Sequence, residues 1–233
     1  MLAPAANALR LCLHPARVPF EADDERTVRI ERTLAEHFER AGIAVVPSDE
    51  VEALIETVDA RSGAIFDPAT GRIDAEKRAA FEADVEQSVR TSFGCTGWIE
   101  VGLQEAAAWY DGTSASWDGQ RAQINSTARI ASQILIGALV GVYQYETGWI
   151  PVTSLFVRVA DLQNQDVAFR SAGVEALFDI SLSRGQDRLP LDRWLRDEDA
   201  VEEAMTSALG KAIERLRSSG RPAGSPAPDF AWE

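Results

Sequence analysis

Short apolar runs alternate with amphipathic stretches of helical length from Leu9 to Gln104. This alternation constrains the fold more than any other feature of the chain. Leu9 to Val18 reads as a first strand. Leu9, Leu11 and Leu13 alternate with Arg10, Cys12 and His14 until Pro15 stops the run. Asp23 to Ala41 predicts a helix, with Thr27, Ile30, Leu34, Phe38 and Ala41 as its apolar stripe, acids in its first turn and Gly42 as its stop. Ile43 to Val46 is wholly apolar, which suits a strand buried on both faces. Ser48 is placed to cap a second helix with a stripe of Val51, Leu54, Ile55 and Val58. Asp74 is placed to cap a third that reaches about Thr91, with Phe81, Val85 and Val89 inward, and Gly97 to Gln104 then reads as a third strand. The order is β-α-β-α-α-β. Helical connections between successive strands favour parallel neighbours in an α/β layer.

The second half changes character. Asp111-Gly112 and Asp118-Gly119 mark tight turns between Ala106 and Gln123, so hairpins are expected there. Ser154 to Asp161 alternates Leu155, Val157 and Val159 against Phe156 and Arg158. A turn then leads into Val167 to Arg170, which suggests another hairpin. Val174 to Ser183 is a further strand candidate. Asp199 to Leu216 is the last helix, with Val201, Ala204, Met205, Ala208, Ala212 and Leu216 on one face. The fold class is α/β (α+β): a mixed central sheet flanked by helices, with β-hairpins in the second half.

Composition limits the function. The 233 residues carry 23 Lys plus Arg against 37 Asp plus Glu, a formal charge of −14. A nucleic-acid binder needs a basic footprint to replace phosphate counterions, and docking on an anionic membrane needs the same sign of charge. Two cysteines and two histidines leave little for a dedicated zinc site, so no metal and no cofactor is expected. Neither phosphate-cradling glycine pattern, GxxxxGK[ST] or GxGxxG, occurs in the chain, and the GxSxG nucleophile elbow is missing too. His14 and His37 sit in no catalytic motif and read as half-buried structural residues. The chain is therefore expected not to be an enzyme.

Individual residues carry sharper expectations. Asp67 to Asp74 is acidic, but it lacks the alternating oxygen ligands of a calcium loop. It reads as a turn followed by a helix cap. Asp111 and Asp118 read as turn residues for the same reason. Cys12 and Cys95 lie in or just before strands. In an exported protein they could form one disulfide; in a cytoplasmic one they would be small buried residues. Trp98 alternates with apolar strand positions and reads as core. Trp117, Asp118 and Trp149, beside turn glycines, are the candidates for a partner-binding surface. Ile130 to Tyr143 is the longest apolar run. It falls short of the about 20 residues a membrane helix requires, and reads as a buried strand or a short interfacial helix.

The chain divides into a tether at residues 1–8, one α/β domain at residues 9–217, and a disordered Pro/Gly/Ser-rich tail at residues 218–233 that ends with Phe230 and Trp232. The start lacks a signal-peptide pattern, which fits either a cytoplasmic protein or one whose export signal precedes Leu2.

The pieces in their order resemble a group of periplasmic lipoproteins: the curli-secretion (CsgG-like) family, the penicillin-binding-protein activator family and the amino-terminal domain of the TolB translocation protein. The resemblance rests on the first strand ending in Pro15 and the helix IERTLAEHFERAGIAVV. It continues through the DPATGRID loop, WIEVGLQ, Trp117-Asp118-Gly119, and the pair SLFVRVAD and VAFRSAGVEALF. It spans Leu9 to Leu216 and carries no catalytic residue across. It implies a domain on the periplasmic side of the outer membrane, held by a lipid on a cysteine upstream of this chain and acting through contacts with envelope proteins. One branch of the group forms a secretion pore, which makes an oligomeric pore subunit an alternative. A small-ligand binder or enzyme with an unrecognised site is another. The expected role is a non-enzymatic accessory or scaffold domain that meets an envelope protein partner, with homo-oligomerisation allowed.

Overall fold

The computed structural model describes residues 9–21, 24–63, 65–66, 70–112, 114–123, 147–181 and 185–219. The tether, the Ile130 to Tyr143 run, Asp67 and Pro68 of the acidic loop, and the terminal aromatics Phe230 and Trp232 lie outside them. A mixed sheet is flanked by helices. Its path runs β2-β1-β3-β4-β5, and β6 pairs with both β3 and β7. The strands are β1 (Arg10–Leu13), β2 (Ala44–Val46), β3 (Gly97–Tyr110), β4 (Ser114–Trp117), β5 (Gln120–Gln123), β6 (Gly148–Asp161) and β7 (Asp166–Ala176). Two short strands, β8 (Phe178–Ser181) and β9 (Gly185–Arg188), form a separate antiparallel pair. The helices are α1 (Glu25–Arg40), α2 (Ser48–Ser62), α3 (Ala75–Phe93) and α4 (Glu198–Ser219).

Two compact units divide the chain: residues 1–101, 157–169 and 209–233 in the first, and 102–156 with 170–208 in the second. In the first, β1 lies between β2 and β3 and is parallel to both. Cys12 pairs with Val46 on one side and with Trp98 on the other. The parallel order follows from the helical crossovers between these strands. Leu11, Cys12 and Leu13 are all buried, so β1 does not alternate as its sequence suggests. A strand flanked on both sides and covered on both faces buries both of its side-chain sets. β2 is the sheet edge instead, and Ala44 and Val45 are only half-buried. The expectation that Ile43 to Val46 is buried on both faces is corrected accordingly.

Helix α1 matches its pattern. Thr27, Ile30, Leu34 and Phe38 are buried, each large apolar side chain contributing roughly 1.5–3 kcal/mol. Asp24 caps it, accepting from Arg26 N–H. The Arg26 guanidinium clasps the same carboxylate and holds its pKa down at about 2. Ser48 is not the cap of α2. Pro47 occupies that position without a side-chain bond, and the Ser48 hydroxyl donates to Glu31 Oε2 on α1. Glu31 Oε1 accepts from Ala16 N–H at 2.8 Å, so one carboxylate ties the exit of β1 to the start of α2. Asp74 caps α3 as its position predicts, accepting from Glu76 and Lys77 N–H. The acidic loop closes through a Phe66–Ile73 bridge, and Gly71 takes a left-handed φ of 65°. Val51 and Val58 of α2 pack with Val85 and Val89 of α3 around Cys12, Cys95 and Trp98.

In the second unit, β3 runs on past Gln104 to Tyr110 and turns into the antiparallel hairpins β3–β4 and β4–β5. The Asp-Gly reading of both turns holds. Asp111 Oδ1 accepts from Ser114 N–H at 2.7 Å, while Asp118 and Gly119 both take positive φ, 41° and 80°, as a two-residue hairpin turn demands. The Val174 to Ser183 strand splits. Val174 to Ala176 end β7, Leu177 turns inward, and Phe178 begins β8. On α4 Val201, Ala204, Met205, Ala208 and Ala212 are buried as expected, Leu216 is half-buried, and Leu209 and Ile213 widen the face.

Candidate partner-binding surface

Residues 105 to 110 of β3 sort by strand alternation. Ala108 and Tyr110 point inward and are buried, while Glu105, Ala107 and Trp109 are exposed. Ala108, Tyr110, Ala115, Trp117, Ile150 and Val152 form one buried cluster beneath this surface. The outward residues therefore stand on a packed layer. Trp109 is 51% exposed, and Trp149, at the start of β6, is 69% exposed. Their ring centroids are 5.5 Å apart with planes at 77°, an edge-to-face pair.

Of the three residues expected at a partner surface, the structure brings two to the outside. Trp149 is exposed and Asp118 is exposed at its turn. Trp117 is a core residue. It is buried, and its indole N–H donates to the Thr153 carbonyl oxygen at 2.9 Å. Gly173 presses against the same indole: a Cβ there would meet Trp117 Nε1 at 2.6 Å and the Trp117 carbonyl oxygen at 2.8 Å. The neighbouring Asp-Gly pair sets a turn and says nothing about which way the tryptophan faces. Trp109 is the residue that sequence reasoning missed. Its signal was the period-two run Glu105, Ala107, Trp109, blurred because alanines occupy both faces of the strand.

A second cluster of charge lies in the first unit. Glu100 on β3 is buried, and its carboxylate receives Arg158 Nη1 at 2.9 Å and Arg17 Nη2 at 3.4 Å. Arg158 also reaches Asp166 and the side chain and carbonyl of Asn164. His14 stacks on Trp98 at 4.4 Å between centroids. Burial pushes its pKa down, against the opposing pull of Glu100. These groups satisfy one another, and the cluster locks β3, β6 and the β6–β7 turn together. His37 Nδ1 lies 2.9 Å from the Thr33 carbonyl oxygen on its own helix. Asp111 is held within its turn by Ser114, whose backbone N–H and hydroxyl both donate to its carboxylate. Among the described residues no group of three or more His, Cys, Asp or Glu side chains could hold a metal ion.

Cys12 and Cys95 are joined by a disulfide, with Cα atoms 5.9 Å apart in the buried core. Among the described residues, no helix is long and apolar enough to cross a membrane.

No protein-family model and no curated protein sequence matches the chain. Solved structures with a similar outline exist. A PelC dodecamer from Paraburkholderia phytofirmans is 10% identical, with 88% of each chain covered and a TM-score of 0.35. Lipoprotein GNA1162 from Neisseria meningitidis is 12% identical, with 91% of this chain and 96% of that chain covered and a TM-score of 0.32. At these scores the likenesses bear on neither activity nor partner.

Proposed function

We propose that this chain is a non-enzymatic accessory or scaffold domain of the bacterial cell envelope that works by binding another protein. The exposed edge-to-face pair Trp109–Trp149, standing on a packed sheet, carries the reading. Tryptophan supplies large contact area at low entropic cost and is enriched where interface energy concentrates. The Cys12–Cys95 disulfide supports an oxidising compartment such as the periplasm. The pattern of strands and helices from Leu9 to Leu216, which resembles envelope lipoprotein families, supports the same placement.

The test is a pull-down from bacterial envelope extract with the full chain and with a Trp109→Ala/Trp149→Ala variant. The expected result is a protein retained by the native chain and lost from the variant. A partner retained equally by both overturns the assignment to this surface. A monomer that retains nothing and turns over a small molecule overturns the reading itself.

A further inference from the structure

We draw no further inference here: the strongest candidate, the exposed surface patch formed by Trp109 on β3 and Trp149 on β6, belongs to the partner-binding surface already described, and nothing in the structure shows what covers it.

Discussion

Arg158 Nη1 stands 2.9 Å from Glu100 Oε1, joining two residues 58 positions apart in the chain. Glu100 has 8% of its side chain exposed and Arg158 has 19%, so each offsets part of the other's lost water, with Asp166 and Asn164 sharing the guanidinium. Arg158→Ala is expected to lower stability by about 3 kcal/mol, because it strands a buried carboxylate with only the exposed Arg17 nearby. The apolar double replacement Glu100→Leu/Arg158→Met is expected to be milder, since it removes both charges together. Urea unfolding of the two variants decides this. A double variant weaker than Arg158→Ala would contradict the account.

The disulfide closes a loop with a sequence separation of 83. Cross-linking so long a loop restricts the unfolded chain, and removing it with Cys12→Ala/Cys95→Ala is expected to cost about 4 kcal/mol. Cys12 and Cys95 are 0% and 1% exposed, so reductant is expected to act on the folded protein only through unfolding. Thiol labelling against time, with and without urea, measures this. Rapid reduction of the folded chain would refute it.

The tryptophans are expected to separate by environment. Trp117→Ala removes a buried indole and its hydrogen bond to Thr153, which is expected to cost about 3–5 kcal/mol. Trp149→Ala, at a 69% exposed position, is expected to change stability by no more than about 0.5 kcal/mol. Thermal melts of the two variants make the comparison.

Gly173→Ala is expected to destabilise by about 1–3 kcal/mol, since the new methyl would meet Trp117 Nε1 and Gln120 Cβ at 2.6 Å. Pairing it with Trp117→Phe, which vacates the Nε1 position, is expected to recover part of the loss. An additive double variant would show that the clash lies with Gln120 Cβ and the Trp117 carbonyl instead.

Two groups set separate pH windows. Burial lowers the pKa of His14 below its ordinary 6.5, so the unfolded chain takes up that proton first. Its contribution is complete above pH 6.5 and is lost as pH falls through the lower folded value. His14→Phe, which keeps a ring on Trp98, is expected to flatten the stability profile in that window. Asp24, held at about 2 chiefly by its side-chain bond with Arg26, contributes above its ordinary 3.8 and loses that contribution as pH falls through about 2. Urea midpoints across pH locate both windows.

The helices and the order of the first strands were legible because their signals are local. Ile30, Leu34 and Phe38 recur at helical spacing, and Asp74 caps where an acid precedes the apolar run. The alternation of Leu9 to Leu13 misled because burial of Cys12 depends on neighbours more than thirty residues away on one side and more than eighty on the other. The burial of Trp117 ran against expectation, and that of Glu100 went unread, for a similar reason. The groups that make their burial tolerable, Arg158 and the Thr153 carbonyl, come from a distant strand. Ser48 had the right residue type for a cap, but Glu31 from another helix claimed its hydroxyl.

The position of β1 between β2 and β3 also imposes a timetable. As the chain is delivered amino-terminus first, residues 10–13 can find Ala44 to Val46 early, but their other neighbour, Gly97 to Ile99, has yet to arrive. Until it arrives, the strand keeps one open edge and Cys12 keeps a free thiol. β1 is thus among the first residues of its unit to be made, yet it is not flanked on both sides until β3 follows.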